Sequence, residues 1–203
     1  TDDSSILEYF KEKVFYIKGE EENLKITSLK DIERANKMLE YRYKVGMGFD
    51  AHRFLETREK NSFIKLCGID VAHDHVILAH SDGDCALHAL VDAMLGTIGE
   101  GDIGKFFPPS ENKWKNANSK EFVEFAHKMI KEKNGTINNV DITIICEKPK
   151  ISEYRDKMKL SLQEILSLEA DQVNIKATTT EKMGFTGRKE GIAVYAVVTA
   201  SFV

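Results

Sequence analysis

The chain has 203 residues and a mass of 23.0 kDa, enough to bury a full core as one domain with an appendage. Apolar residues make up 42% and charged residues 31%, as in ordinary globular proteins, and no apolar run approaches the length of a membrane-spanning helix. The formal net charge of -4 argues against a general nucleic-acid binder, and an anionic ligand would have to be held by local charges or metals.

Residues 1–43 read as a charge-dense N-terminal extension, helical or partly disordered. One helix is expected to be capped by Ser4 or Ser5 and to carry Ile6, Leu7, Phe10 and Val14. A second starts near Ser28, with Leu29, Ile32, Ala35, Met38 and Leu39 at helical spacing. The chain opens on Thr1 rather than Met, a trace that a removed leader or cloning would leave. The three cysteines, Cys67, Cys85 and Cys146, are odd in number and lack Cys-x-x-Cys spacing, so they read as reduced core thiols.

From Tyr41 the pattern changes to a strand ending in Gly46-Met47-Gly48-Phe49-Asp50-Ala51-His52. Alternation along a strand sends Asp50 and His52 to one face, either as a surface pair or as the start of a zinc site. Gly46 and Gly48 let another backbone come close just before them. Glu56–Asn61 reads as a charged loop, Phe63–Leu66 and Ile69–Val71 as short strands, and His73-Asp74-His75 as a hydrated turn rather than a metal site.

A helix over Ala86–Gly96 follows, capped by Ser81 or Asp82, with Leu87, Leu90, Val91, Met94 and Leu95 apolar. His88 lies inside it, and Asp84, one turn earlier, is placed to orient the imidazole. His80 and Ser81 precede its N-terminus, where free N–H groups favour an anion. Gly96–Gly104 is a glycine-rich loop, and the stretch from Phe106 to Glu111 reads as a flap or a connector. Ser119–Lys133 is an amphipathic helix with Phe122, Phe125, Ala126, Met129 and Ile130 inward and His127 near its polar side.

Ile137–Cys146 is a strand, Ser152–Leu166 a helix, Val173–Thr178 a strand and Ile192–Val203 a long final strand. Between the last two, Thr178, Thr179, Thr180, Glu181, Lys182 and Arg188 fall within eleven residues. They suit either phosphate with a magnesium ion or a polar strand exit. The order of elements gives an α+β domain over residues 44–203, with helices packed on a mixed sheet.

Taken together the motifs resemble one family, the 2-C-methyl-D-erythritol 2,4-cyclodiphosphate synthases of the non-mevalonate isoprenoid pathway. The resemblance rests on Gly-x-Gly-Phe-Asp-x-His (46–52), Leu-Ala-His-Ser-Asp-Gly-Asp (78–84) with His88, Gly-Asp-Ile-Gly-Lys-x-Phe-Pro (101–108) and Asn-Val-Asp-x-Thr-Ile-Ile (139–145). It continues through Lys176–Gly191, which holds Thr178-Thr179-Thr180-Glu181-Lys182 and Gly184-Phe185-Thr186-Gly187-Arg188.

The resemblance implies a homotrimer of ferredoxin-like subunits with interfacial active sites. It also implies conversion of 4-diphosphocytidyl-2-C-methyl-D-erythritol 2-phosphate to the cyclic diphosphate and CMP. By position it makes Asp50, His52 and His88 zinc ligands and Glu181 a ligand for Mg2+ or Mn2+ bridging the substrate diphosphate. His80, Ser81 and Thr179 would contact phosphate, Asp102 and Gly104 the erythritol, and Pro149, Lys150 and Thr178 the cytidine; Thr180, Phe185 and Arg188 complete the substrate-binding set. Phe49, Arg188 and Glu190 match an apolar trimer-axis cavity that can hold an isoprenoid diphosphate.

This chain departs from the family pattern at Pro109, where an aspartate is common, and in its N-terminal 43 residues, which short bacterial forms lack. The extension suggests a plastid protein with its leader removed, or a cytoplasmic one if the source is bacterial. Two other classes compete: a catalytically silent binding protein on the same trimer, and a zinc phosphohydrolase. The full set Asp50, His52, His88, Thr179 and Glu181 argues against the first, and the lack of a spare carboxylate base argues against the second.

Overall fold

The computed structural model describes residues 3–11, 13, 15, 18–19, 23, 25–38, 41–58, 62–79 and 81–203. The chain divides into two compact units, Thr1–Glu40 and Tyr41–Val203. The first unit holds α1 (Asp3–Tyr9) and α2 (Leu29–Met38). Helix α2 begins on a reciprocal cap: Ser28 N–H donates to Asp31 Oδ2 at 2.8 Å, and Asp31 N–H donates back to Ser28 Oγ at 3.3 Å. The side chains of Ser4 and Ser5, and Val14 and Leu39, lie outside the described residues.

The second unit is built on a five-stranded sheet ordered β4-β1-β7-β5-β6. Strand β1 is Arg42–Arg58, β4 His75–Ile77, β5 Gly135–Ile145, β6 Val173–Thr178 and β7 Gly191–Phe202. β5 and β6 run parallel and all other pairs antiparallel, which makes the sheet mixed. A separate hairpin, β2 (Phe63–Leu66) with β3 (Ile69–Ala72), stands where the sequence places two short strands. Strand β1 continues through Glu56–Arg58, where a loop is expected, and residues 59–61 lie outside the described ones.

Helices α3 (Cys85–Ile98), α5 (Ser119–Glu132) and α6 (Arg155–Leu166) form a layer on one face of this sheet, with the short α4 (Ile103–Phe106) and α7 (Gly184–Gly187) in connections. α3 is apolar nearly all round and lies at the centre, which is the pattern of a helix buried on every side. Its N-cap is Asp84, not Ser81 or Asp82, and a left-handed Gly99 closes its far end. α3 packs directly on β1 because two glycines leave room: a Cβ at Gly46 would sit 1.9 Å from the Ala93 carbonyl oxygen, and one at Gly48 2.0 Å from that of Ala89. The core lies between this helix layer and the inner sheet face, where Val140, Ile142, Ile144, Val194, Ala196 and Val198 are buried.

Among the described residues of the second unit, no helix packs on the opposite sheet face. Tyr43, Val45, Met47 and Phe49 of β1 point there, and Met47 is 67% exposed. Cross-strand pairing sets Met47 opposite Val197 and Phe49 opposite Tyr195, whose rings lie 4.7 Å apart. Among the described residues no helix is long and apolar enough to cross a membrane.

Candidate functional site

β1 delivers Asp50 and His52 on one face, as alternation predicts, and the Gly46–Gly48 contact brings α3 with His88 against them. Asp50 Oδ2 lies 3.2 Å from His52 Nε2 and 3.1 Å from His88 Nδ1. The Cys85 thiol belongs to the same cluster, its sulfur and one donor atom each of Asp50 and His52 lying within 4.8 Å of one another. Sequence reasoning missed it, because a cysteine on an apolar helix reads as core.

His52 Nδ1 faces the Gly83 carbonyl at 3.1 Å, and a carbonyl can only accept, so Nδ1 carries the hydrogen. The lone pair is then on Nε2, aimed at Asp50. Burial lowers the His52 pKa and outweighs the pull of the Asp50 charge, so the neutral ring is favoured. Burial would raise Asp50, but the His88 and His52 rings against it and the Ala51 N–H hold it below the ordinary carboxylate value. A carboxylate facing an imidazole lone pair at this distance calls for a cation between them. Burial, with the nearby Asp50 and Asp84 charges, pushes the Cys85 thiol well above its usual value, so it stays protonated.

Asp84 does not orient His88. Its carboxylate is fully buried and accepts from Cys67, Gly68 and Leu87 N–H at 3.0, 2.6 and 3.0 Å, tying the β2–β3 turn to the start of α3. His88 Nε2 instead meets Ser119 Oγ at 2.9 Å and Ser81 Oγ at 3.0 Å. His80 lies outside the described residues. Asp92, one turn beyond His88, accepts the Ile103 N–H at 2.7 Å and so anchors the loop carrying Asp102 and Gly104. Asp102 caps α4, its side chain accepting from Lys105 N–H at 3.1 Å.

The loops after β5 and β6, with the β3–β4 connection, form a separate cavity of about 650 Å³ lined by Pro149, Lys150, Thr178 and Thr179, together with His73 and Asp74. The sequence picks out the first four; His73 and Asp74 come from the β3–β4 connection. The His73 and His75 rings are not a hydrated turn but stand against Phe54, at 4.4 and 6.2 Å between ring centres. Thr179 Oγ1 donates to Glu181 Oε1 at 3.2 Å, and Thr180 Oγ1 to the Met183 carbonyl at 2.6 Å. Glu181 and Lys182 hold φ values of 51° and 64°, unusual for non-glycine residues, and Glu147 accepts the Lys182 N–H at 3.2 Å. Phe185 and Glu190 line another cavity with His52, and Arg188 forms a forked pair with Glu190 at 2.8 and 3.0 Å. The cavity lined by Thr178 and Thr179 does not include Asp50, His52 or His88.

A mixed sheet whose first strand sets Asp50 and His52 against the half-buried His88 of a central helix, with a separate loop-lined pocket, defines a small α+β protein with side chains placed where they could hold a metal ion. Comparison with known proteins narrows this description. The YgbB family model matches residues 43–201, and the chain belongs to that family. The 2-C-methyl-D-erythritol 2,4-cyclodiphosphate synthase of Anaplasma phagocytophilum is 55% identical over 156 residues, 77% of this chain and 93% of the relative. The bifunctional enzyme IspD/IspF of Wolbachia pipientis is 50% identical over 200 residues, 98% of this chain and 50% of the relative.

Among solved structures, the bifunctional IspDF from Campylobacter jejuni superposes with a TM-score of 0.75 at 36% identity, covering 100% of this chain and 54% of that one. A CDP complex of IspF from Plasmodium falciparum gives 0.69 at 33% identity, covering 79% and 96%. The chain spans about half the length of the bifunctional relatives it matches. These curated relatives are bacterial, and the Wolbachia match runs over nearly the whole chain. The plastid expectation is left without support.

Proposed function

We propose that the chain converts 4-diphosphocytidyl-2-C-methyl-D-erythritol 2-phosphate to 2-C-methyl-D-erythritol 2,4-cyclodiphosphate and CMP in isoprenoid precursor synthesis. The observation that carries this is Asp50 Oδ2 at 3.2 and 3.1 Å from two ring nitrogens, one of them with its lone pair turned inward. In the reaction a 2-phosphate oxygen forms a bond to the β-phosphorus. The bond from that phosphorus to the α-phosphate oxygen breaks, and its electron pair leaves with CMP. The substrate brings its own nucleophile, so binding and charge neutralisation carry the rate.

Asp50, His52 and His88 would hold zinc. His88 is preferred to Cys85 because an imidazole ligates as the neutral ring, whereas the buried thiol would have to ionise. Zinc so bound supplies Lewis acidity and a template for a phosphate oxygen. Glu181 would hold Mg2+ or Mn2+ at the diphosphate. His80, Ser81 and Thr179 would donate to phosphate oxygens, and Thr179 has only to exchange its exposed contact with Glu181 to do so. Asp102 and Gly104, held from behind by Asp92, would take the erythritol hydroxyls. Pro149, Lys150 and Thr178 would receive the cytidine in their cavity, and Thr180, Phe185 and Arg188 would make further substrate contacts.

A homotrimer of ferredoxin-like subunits is supported by the bare sheet face carrying Val45, Met47 and Phe49, a contiguous apolar surface of the kind that marks an interface. It is supported too by the separation of the cavity from the metal cradle, which one subunit could complete for the next. Phe49, Arg188 and Glu190 would then line an axial cavity able to take an isoprenoid diphosphate. Bacterial relatives favour a cytoplasmic setting. The test is release of CMP from the named substrate, with phosphorus NMR following the cyclic product before and after chelation. Cyclic product that vanishes on chelation is expected. Inorganic phosphate in its place, or no turnover by folded zinc-loaded protein, overturns the proposal.

A further inference from the structure

The two ring nitrogens of His88 keep different company. Nδ1 faces Asp50 Oδ2 at 3.1 Å, while Nε2 faces Ser119 Oγ at 2.9 Å. The Ser119 hydroxyl hydrogen is already committed, because it donates to Asp82 Oδ1, and a carboxylate can only accept. The other Asp82 oxygen accepts the Ser119 N–H at 3.1 Å, so the serine is held at both ends. Ser119 is fully buried at the start of α5, and Asp82 sits just ahead of α3. With its hydrogen turned to Asp82, Ser119 Oγ presents only lone pairs to Nε2, and the contact is favourable only if Nε2 carries a hydrogen.

We propose that Asp82 and Ser119 form a positioning relay that locks His88 in its Nε2–H form and thereby keeps Nδ1 available as a metal ligand. The inference rests on the metal reading given above. Ser81 Oγ also lies 3.0 Å from Nε2, but among the described residues no carboxylate takes its hydrogen. Ser81 can therefore donate or accept, and enforces neither form. Without Ser119, Ser81 can donate to Nε2, and the ring hydrogen moves to Nδ1, where it bonds Asp50 and blocks the ligand position. Outer partners of this type fix ring orientation and tautomer at metal-bound histidines generally.

The test titrates the metal-free full chain with zinc, using a competing chelator, and reads the histidine tautomers by nitrogen NMR in the same samples. Ser119→Ala is expected to weaken zinc binding roughly ten- to hundredfold and to mix the His88 tautomers. Ser119→Thr, which keeps the hydroxyl, should restore much of the affinity, and Ser81→Ala should leave it essentially unchanged. A parent that binds zinc, with Ser119→Ala binding as tightly, overturns the relay alone. A folded parent that takes up no zinc overturns the metal reading, and the relay with it. Should Ser119→Ala fail to fold, the parent decides: a His88 without a hydrogen on Nε2 in the zinc-loaded protein overturns the proposal.

Discussion

The His52 and His88 side chains are 14% and 13% exposed and reach Gly83 and Asp50 across 31 and 38 positions, whereas Thr179, Glu181 and Arg188 lie exposed and bond within two residues of themselves. Lys150, in the same outer region, is 76% exposed. Contacts that join separate elements are fixed once the chain folds, so the strand–helix half has its geometry before any ligand arrives. Exposed local contacts can be exchanged for ligand contacts at little net cost, since each already competes with water. One half of the site is a rigid cradle, and the other is a set of loops that a ligand or a neighbouring subunit can finish.

The sharpest way to break this contrast is His52→Ala, which should remove bound zinc and turnover together. Metal analysis beside the CMP assay checks it, and full activity in the variant would end the metal assignment. Met47→Glu puts a charge on the bare sheet face and should yield monomers by sedimentation. These would keep their zinc but lose turnover if, as proposed, the loops of a neighbouring subunit complete the cradle. Active monomers would mean that both halves serve within one chain. Thr179→Ala should leave zinc binding intact and lower kcat by roughly a hundredfold, the usual effect of removing one donor to developing charge. A change in zinc affinity of similar size would show that the two halves are not independent.

The smallest expected effect concerns acid stability away from the site. Burial lowers the His127 pKa on α5 below the ordinary 6.5, with the nearby Lys131 charge adding to it, so the unfolded chain binds the proton more readily than the folded one. The penalty is absent well above 6.5 and grows as pH falls through it towards the folded value. In metal-free protein the fall in Tm on acidification should therefore be shallower for His127→Gln than for the parent. Parallel pH profiles for the two would show that His127 titrates alike in both states.

Local patterns were legible wherever a single period decided the structure. Strand β6 runs Val173–Thr178 as expected, and the alternation that pairs Asp50 with His52 survives intact. α3 and β7 each begin or end within two residues of the expected bounds. Asp84 was misread because helical spacing places it one turn before His88, whereas its carboxylate turns back to three N–H groups, two of them on a hairpin the spacing does not see. The pairings of Ser119 with Asp82 and of Asp92 with Ile103 gave no signal for a related reason, since they span 37 and 11 positions. His127, expected on the solvated side, is half-buried, because α5 packs into a three-helix layer rather than on the sheet alone.

The absence of side chains at Gly46 and Gly48 has a consequence for motion as well as for packing. With the α3 backbone seated directly on β1, and β1 paired with β7 over twelve successive positions, neither element can loosen without lifting the other. Local opening of such a unit costs nearly as much as unfolding the domain. Amide hydrogens of residues 46–52 and 86–95 should therefore be among the slowest in the chain to exchange with solvent, and the distance between Asp50 and His88 should hold steady while the Thr178–Lys182 loop opens and closes many times.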